Sequence, residues 1–256
     1  PKRRRGVSFQ TKHFAIGYRV EHSQRLINRA QWGRDSLPGV KAAEYRLSSR
    51  TADRPVYTFC MCPGGMVVPA TAYEGQNIVN GMSFYRRSSK FANAACVAGV
   101  HPDELAGKTT TPIETLEWLT ELEQKFYALS NNYQAPACSI RNFMNKTDGG
   151  ATPRTSYTLG LQSAPLWEML PAVATSAIKI GLEEFNRKLR GFETGMLIGL
   201  ESKTSAPIQV VRDKRGLCDG FENLYMIGEG SGWAGGIISS GVDGLRAAMS
   251  IIARDE

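Results

Sequence analysis

The chain has 256 residues, of which 42% are hydrophobic and 21% are charged, an ordinary composition for a globular domain protein. This length allows one large domain or two modest ones with a buried core. No run of about 18 apolar residues occurs, and no apolar stretch follows the basic N-terminus, so neither a membrane span nor a secretory signal is predicted. Five cysteines at irregular spacing favour a reducing, cytoplasmic location over a disulfide framework.

The net charge of +7 comes from basic residues that are scattered along the chain, with small clusters at Lys2 to Arg5 and at Arg86 and Arg87. Such an excess could attract nucleic acid or a diphosphate group. No RNA- or DNA-binding motif occurs, so nucleic acid is not an expected partner. A solvated positive surface is the simplest interpretation of the charge.

The first hundred residues are predicted to form mainly strands. Apolar or alternating runs predict strands over 14–21, 44–49 and 91–100, and a strand or tight turn over 77–82. A short helix is predicted over 24–30, with Ser23 as its N-cap. Two β-rich runs within 55–70 flank Pro63, Gly64 and Gly65, which predicts a β-hairpin, or a close relative of one, with its turn at these residues.

The rest of the chain is predicted to alternate helices with short strands. Apolar residues at helical spacing predict helices over 111–130 and 165–189, whereas residues 131–164 are expected to be mostly loop. Strands are predicted at 196–201, 208–211 and 224–227, the last one buried. A final helix begins after Gly236, and its apolar residues are expected to share one face: Ile237, Val242, Leu245, Met249 and Ile252.

The glycine-rich turn before this last helix is the best candidate for a binding site. Gly228, Gly230 and Gly232 let the backbone bend sharply and approach a ligand, and the helix start aims free N–H groups at it. Glu229 adds a carboxylate, which can accept hydrogen bonds from the hydroxyl groups of a sugar or a ribityl chain. A nucleotide cofactor suits this arrangement, a flavin in particular. The alternative is a glycine-rich turn that only packs tightly.

The segment Asn223 to Ala248 resembles the C-terminal flavin-contacting motif of FAD-dependent oxidoreductases with the glutathione-reductase type of fold. It is most similar to a bacterial group described as uncharacterised FAD-dependent, or NAD(FAD)-utilising, dehydrogenases. The middle of the chain is also similar to that group, in four segments: Ala15-Ile-Gly-Tyr-Arg-Val-Glu-His22, Phe59-Cys-Met-Cys-Pro-Gly-Gly65, Asn80-Gly-Met-Ser83 and Asn93-Ala-Ala95. The resemblance extends from about Gly6 to Ala248, but it covers only the second half of a family member.

This resemblance implies an α/β fold, in which a mixed α+β middle domain is inserted in an FAD-binding Rossmann-like domain. Residues 1–200 would form this substrate or cap domain, and residues 201–256 would supply the C-terminal strand and helix of the FAD-binding domain. The implied function is flavin-mediated hydride or electron transfer on an unidentified small-molecule substrate, with NAD(P)H as a candidate electron donor. The implied cofactor-binding residues are Gly228, Glu229, Gly230, Trp233, Ala234, Gly235, Gly236, Ile237 and Ile238.

The letters G-x-G-x-x-G occur at Gly230 to Gly235, but this stretch lies at the wrong end of the domain for the pyrophosphate-binding fingerprint, which opens an FAD-binding domain. In the family, that fingerprint lies in the half that precedes this region. The missing N-terminal FAD-binding half is therefore an implied partner. We expect the present chain alone to bind FAD weakly or not at all, and to be inactive by itself.

Cys60 and Cys62 are the candidates for catalysis. On a regular strand, residues i and i+2 point to the same face, so the two thiols could lie beside a flavin. Two small buried hydrophobic residues are the alternative. No second Cys/His pair has suitable spacing, so no metal site is predicted. His22 and Arg19 are weaker candidates, for acid–base chemistry and for holding an anionic substrate.

The alternative function for the whole chain is a non-catalytic basic domain that binds RNA or another anionic partner. Salt dependence would distinguish the two, because contacts with phosphate weaken steeply as the salt concentration rises.

Overall fold

The computed structural model describes residues 2–50, 53–130, 132–149 and 154–253. Contacts divide the chain into two compact units. The first unit joins Pro1–Ala15, Val100–Leu119 and Lys203–Glu256, and the second joins Ile16–Gly99 and Thr120–Ser202. The structure is of mixed α and β type, as the sequence indicates. The insertion into a Rossmann-like domain, and the division at residue 200, stay predictions.

Ten strands and six α-helices make up the regular structure of the described residues. The strands are β1 (Phe9–Thr11), β2 (Phe14–Ser23), β3 (Ser48–Ser49), β4 (Val56–Pro69), β5 (Val79–Ser83), β6 (Phe91–Val100), β7 (Ala135–Ser139), β8 (Leu161–Ser163), β9 (Met196–Glu201) and β10 (Ile208–Val210). The helices are α1 (Gln24–Trp32), α2 (Pro102–Ala106), α3 (Pro112–Ala128), α4 (Ile140–Asn145), α5 (Ala172–Lys188) and α6 (Ile237–Ile252). None of these helices is both long and apolar enough to cross a bilayer.

The second unit is built on an eight-stranded sheet with the order β3-β4-β6-β2-β9-β7-β8, and β5 pairs with β4. Strand β9 is antiparallel to β2 and β7, whereas β8 is parallel to β7. An apolar cluster between the strands consists of Val67, Val79, Ala135, Ala137, Tyr157, Met196 and Ile198. Helix α5 packs on β3 and β4, and its buried residues include Ile178, Leu182 and Phe185.

The start of α1 confirms the predicted N-cap, since the Ser23 hydroxyl accepts a hydrogen bond from the Leu26 N–H at 3.3 Å. The strands predicted at 14–21 and 91–100, and the helix predicted at 111–130, are also present as β2, β6 and α3.

The predicted hairpin at Pro63 to Gly65 is wrong, because β4 runs unbroken from Val56 to Pro69. Gly64 is a bulge in this strand rather than a turn. It has a φ of 53°, and a Cβ there would lie 1.9 Å from the carbonyl oxygen of Arg87. Its N–H donates to the side-chain oxygen of Gln24 at 2.6 Å. These contacts with residues distant in sequence hold the glycines inside the strand.

Three other predicted boundaries differ from the structure. Only Ser48–Ser49 of the predicted strand 44–49 is paired. The predicted loop 131–164 contains β7, α4 and β8, whose short and irregular runs gave no periodic signal. The helix predicted over 165–189 is divided into a 3₁₀ turn at Leu166–Glu168 and α5, because Pro171 stands at the N-cap of α5.

The first unit contains a small antiparallel pair, β1 with β10, in which Phe9 lies opposite Val210. Val7, Val210 and Cys218 form a small core, against which Phe221, Leu224 and Met226 pack. The buried strand predicted at 224–227 is wrong. Tyr225 forms only an isolated bridge with Leu217, and Ile227 is exposed. The segment packs its side chains on the core without joining a ladder.

Helix α6 is present as predicted, but its apolar face is open. Ile237 is 91% exposed, Leu245 is 66% exposed and Met249 is 69% exposed, whereas Ala247 on the opposite side is buried. Within the first unit, this helix therefore packs through its narrow side of small residues. Its broad apolar stripe has no covering among the described residues of that unit.

Candidate functional site

The glycine-rich turn of the first unit is seated tightly on β10. Glu229–Ser231 forms one 3₁₀ turn, and Gly232 closes it with a φ of 80°. A Cβ at Gly232 would lie 2.1 Å from the carbonyl oxygen of Ile208, so only glycine fits this approach. The Ser231 hydroxyl donates to the carbonyl oxygen of Gly228 at 2.7 Å and ties the two ends of the turn together.

Asp243 of α6 links the turn to Arg212. One carboxylate oxygen accepts the Gly228 N–H at 2.7 Å, and the other accepts an N–H of Arg212 at 2.7 Å. The Arg212 guanidinium lies 4.6 Å from the centroid of the Trp233 ring, whose indole N–H donates to the carbonyl oxygen of Val210 at 2.8 Å. Burial would raise the pKa of Asp243, but the hydrogen bonds from Arg212 and Gly228 outweigh it and lower this pKa.

Two cationic side chains stand beside the turn. Arg212 is buried, and its Nε and Nη1 atoms have no hydrogen-bond partner among the described residues. The ammonium group of Lys12 donates to the carbonyl oxygen of Gly232, and partial burial lowers the pKa of Lys12. The backbone N–H of Lys12 also donates to the carbonyl oxygen of Pro207, at 2.9 Å. The turn therefore has positive charge beneath and beside it.

The outer side of the turn is open. Glu229 and Gly230 are exposed, and a Cβ at Gly230 would have no atom within 4 Å. Gly236 is the N-cap of α6 and makes no side-chain capping bond to the first helical amides. Ile237 and Ile238, the first two residues of the helix, are exposed.

The predicted cofactor-binding residues thus fall into two groups. Glu229, Gly230, Trp233, Ile237 and Ile238 present exposed surface, and Gly235 and Gly236 are half-buried. In contrast, Gly228 and Ala234 are buried, and the Gly228 N–H is already used by Asp243. Gly228 is therefore placed to shape the turn rather than to donate to a ligand.

This arrangement fits the part of a flavin that carries hydroxyl groups and a ring edge with a carbonyl acceptor. An exposed carboxylate can accept from hydroxyl groups, and uncapped amides at a helix start can donate to a ring carbonyl. In a Rossmann-type domain, the diphosphate lies on the glycine-rich loop between the first strand and the first helix, whereas the turn at 228–236 precedes the last helix of this chain. The residues present fit the flavin end of FAD.

A second cluster lies in the second unit, around Arg19. Arg19 is fully buried and pairs with Glu201 at 3.0 Å. Its five N–H groups have partners on Asn93 (Oδ1, 2.8 Å), Asn80 (Oδ1, 3.3 Å), Glu201 (Oε2, 3.0 Å), Cys60 (carbonyl oxygen, 2.6 Å) and Cys62 (Sγ, 3.3 Å). The guanidinium therefore has no N–H group left to donate to an anionic substrate. The interpretation of Arg19 as a residue that holds such a substrate is wrong.

The two cysteine candidates do not share one face of a regular strand. Cys60 is exposed and has a φ of 49°, whereas Cys62 is buried. The register of β4 on β6 shifts between Phe59 and Cys62, which breaks the alternation of side chains. Among the described residues, no group of three or more His, Cys, Asp or Glu side chains could hold a metal ion.

His22 is buried in the second unit, where its Nε2 lies 2.7 Å from the carbonyl oxygen of Phe192 and its ring packs on the Phe192 ring. Burial lowers the pKa of His22 to about 4. A carbonyl accepts only from a protonated nitrogen, so Nε2 carries the hydrogen of the neutral ring. These contacts favour the structural interpretation of His22 over the acid–base one.

Sequence reasoning missed Lys12, Arg212 and Asp243 at the turn. Lys12 and Gly232 are 220 positions apart, and no local pattern connects them. Asp243 is the one acidic residue of α6, and no local pattern connects it with Arg212. The single available signal for Asp243 was its position, one or two helical turns after a glycine-rich loop.

Comparison with known families matches residues 13–204 to the family described as FAD-dependent protein, C-terminal domain-like. The match covers more than half of the chain and ends before the glycine-rich turn. A protein of Clostridium beijerinckii, described as an uncharacterised protein, is 40% identical over 261 residues. The alignment covers 98% of this chain and 48% of that relative, so the chain spans about half the length of the curated relative it matches. The chain belongs to the family of FAD-dependent proteins, C-terminal domain-like.

Proposed function

We propose that this chain is the C-terminal portion of an FAD-dependent oxidoreductase, a dehydrogenase in which the glycine-rich turn at 228–238 contacts the flavin. The open carboxylate of Glu229 carries this proposal, because it stands beside uncapped helical amides on a turn that internal contacts hold rigid. Glu229 would accept hydrogen bonds from cofactor hydroxyl groups. The amides of Ile237 and Ile238 would donate to the ring edge.

When bound, FAD supplies the hydride or electron transfer, and the protein supplies binding and electrostatics. Lys12 and Arg212 keep positive charge close to the turn, which favours negative charge on a neighbouring ring edge. Asp243 holds Gly228 and Arg212 together, so that the turn keeps its shape without the cofactor. The substrate is a small molecule, and NAD(P)H is the electron donor that we propose to test first.

The residues that bind the pyrophosphate would come from a separate half of the protein. This half is the partner that we propose. The curated relative is about twice as long as the region it shares with this chain. The apolar face of α6 is a surface that this separate half would cover. Covering Leu245, Met249 and Ile252 would stabilise the assembly by about 25 cal/mol for each Å² of apolar surface that is buried.

The test is the flavin content of the full-length gene product purified with and without the substitution Glu229→Ala. We expect loss of one charged hydrogen-bond acceptor to weaken FAD binding by about 1.5–3 kcal/mol, or roughly 10- to 100-fold. Glu117→Ala is the matched control, because Glu117 is an exposed carboxylate on α3, far from the turn in sequence.

Unchanged FAD affinity in the Glu229→Ala protein would remove Glu229 from the proposed site. A full-length protein that carries no flavin and binds RNA with steep salt dependence would favour the alternative function, a basic domain that binds an anionic partner.

A further inference from the structure

Cys60 differs from the other four cysteines because its side chain is exposed, whereas Cys62, Cys96, Cys138 and Cys218 are buried. It also has a positive φ of 49°, which only two other non-glycine residues share among the described positions. A left-handed backbone costs a non-glycine residue on the order of 1 kcal/mol, and it persists only where surrounding contacts hold it. Here the contact is the hydrogen bond from Arg19 to the Cys60 carbonyl oxygen, at 2.6 Å.

The Cys62 sulfur lies directly against the backbone of Cys60. It is 3.3 Å from the Cys60 carbonyl oxygen and 3.3 Å from a guanidinium nitrogen of Arg19. Cα atoms two residues apart in a chain can be separated by at most about 7.2 Å, and a disulfide joins Cα atoms about 4.4 to 6.8 Å apart, so the two cysteines are within reach of one another. The bulge between Phe59 and Cys62 leaves one residue of β4 without a ladder partner on β6, so this stretch can adjust its backbone without breaking the sheet.

We propose that Cys60 and Cys62 form a thiol–disulfide exchange site, in which Cys60 attacks a low-molecular-weight disulfide and Cys62 resolves the product. The site lies wholly within the second unit and does not depend on flavin binding.

The exchange takes place in two steps. The Cys60 thiolate attacks one sulfur of the small disulfide, forms a mixed disulfide and releases one thiolate, which takes up the proton that Cys60 lost. The Cys62 sulfur then attacks the Cys60 sulfur, which forms the Cys60–Cys62 disulfide and releases the second small thiol with the proton from Cys62. Two protein thiols are oxidised, and one small disulfide is reduced to two thiols.

The environment of each thiol sets this order. Cys60 is exposed, so a small disulfide in solution can reach it. Burial raises the pKa of the Cys62 thiol, while the neighbouring Arg19 acts in the opposite direction. Cys62 is therefore a poor first nucleophile for an external reagent, but Arg19 is placed to stabilise its thiolate when the Cys60 sulfur becomes the target. A bridge between residues so close in sequence is strained, so excess thiol should reduce it readily.

The experiment treats the full-length protein with oxidised glutathione and identifies the products by mass spectrometry of unreduced digests. We expect the wild type to form the Cys60–Cys62 bridge, with loss of two hydrogens and no retained glutathione. Cys62→Ser should stop at glutathione bound to Cys60, and Cys60→Ser should react more than about tenfold more slowly. Cys96 and Cys138, which are buried in the same unit, serve as internal controls in every digest.

Circular dichroism of each variant separates loss of reactivity from loss of fold. The proposal is overturned if the wild type accumulates glutathione on Cys60 to the same extent as Cys62→Ser. It is also overturned if Cys60 in the folded wild type does not react at all.

Discussion

The carboxylate of Asp243 accepts a hydrogen bond from the backbone N–H of Gly228 at 2.7 Å, fifteen positions earlier in the chain. The same carboxylate pairs with Arg212, which in turn lies over the ring of Trp233. One side chain of α6 thus connects the start of the glycine-rich turn to the cation and the aromatic ring beside it. The shape of the turn depends on this residue, although it is not itself placed to touch a ligand.

Asp243→Ala should lower the free energy of unfolding by about 1–3 kcal/mol, because it leaves a buried Arg212 and the Gly228 N–H without an acceptor. Asp243→Asn should lower the free energy of unfolding by less, since the amide oxygen of asparagine can still accept one of the two hydrogen bonds. Urea denaturation measures both effects. Asp219→Ala is the control, because Asp219 is an exposed carboxylate in the same unit. Equal stability of the Asp243→Ala and Asp219→Ala proteins would contradict the anchoring role.

Gly232→Ala should destabilise the turn by about 1–3 kcal/mol, because Gly232 has a positive φ and its Cβ would meet the carbonyl oxygen of Ile208 at 2.1 Å. Gly230→Ala offers the matched control two positions away, where the added methyl group meets no atom within 4 Å. Thermal unfolding of the two variants should therefore differ by several degrees. A Gly230→Ala protein as unstable as Gly232→Ala would show that backbone strain at Gly232 is not the cause.

Arg19→Met should destabilise the second unit by about 3–5 kcal/mol, because it leaves the buried carboxylate of Glu201 without its arginine. The double variant Arg19→Met/Glu201→Leu should recover part of this loss, since it removes the uncompensated charge as well. A double-mutant cycle of unfolding free energies measures the coupling between the two residues. Additive effects of the two single substitutions would mean that the ion pair contributes no coupling.

His22 should make the stability of the second unit depend on pH between about 6.5 and about 4. Burial lowers the pKa of His22 in the folded state to about 4, whereas the unfolded chain titrates near 6.5. Above pH 6.5 the ring is neutral in both states. Below it the unfolded state binds a proton that the folded state does not, so stability falls by up to about 1.4 kcal/mol per pH unit.

His22→Gln should remove this slope from the unfolding free energy measured between those pH values. The substitution His13→Gln is the control, because His13 is exposed. Glu21, whose pKa burial raises, contributes with the opposite sign in the acid range. The comparison is therefore made between variants rather than on the absolute slope. Identical slopes in the wild type and His22→Gln would contradict the prediction.

Leu245→Glu combined with Met249→Glu should leave the helix content of this chain unchanged, since both side chains are exposed in the first unit. The two charges should reduce binding of an apolar dye and self-association, which sedimentation measures. In the full-length gene product, the same pair should lower the melting temperature if another half covers this face. Arg246→Glu is the control, on the neighbouring polar flank of α6. A full-length protein indifferent to both changes would argue against the proposed covering.

Strong local patterns predicted most of the regular structure. The apolar spacing of α3 and α6, and the long runs in β2 and β6, are visible in the sequence, and Ser23 marks the start of α1. The continuous strand β4 could not be predicted, because Pro63, Gly64 and Gly65 are typical turn residues. The side chain of Gln24 and the backbone N–H of Ser89, both distant in sequence, hydrogen-bond to Gly64 and hold it inside the strand.

The sequence alone singles out the glycines and Glu229 of the candidate site, but not the side chains that support them. Lys12 and Arg212 reach the turn from separate stretches of the chain. For Cys60 and Cys62, the sequence predicted proximity on one face, and the bulge in β4 reversed the exposure of one of them. Register shifts of one residue have no local sequence signal, because they depend on the partner strand.

The first unit is assembled from three stretches of chain, and Lys12 meets Gly232 only after the residues between them have been synthesised. On the ribosome, the earliest of these stretches must therefore wait, unpaired, until the last one emerges. A polypeptide released before Lys203 would contain every strand of the sheet in the second unit, yet its residues 9–11 would lack β10, the strand with which they pair. Chaperones and proteases would encounter such a product with the apolar Val7 and Phe9 uncovered, because the residues that pack against them are synthesised later.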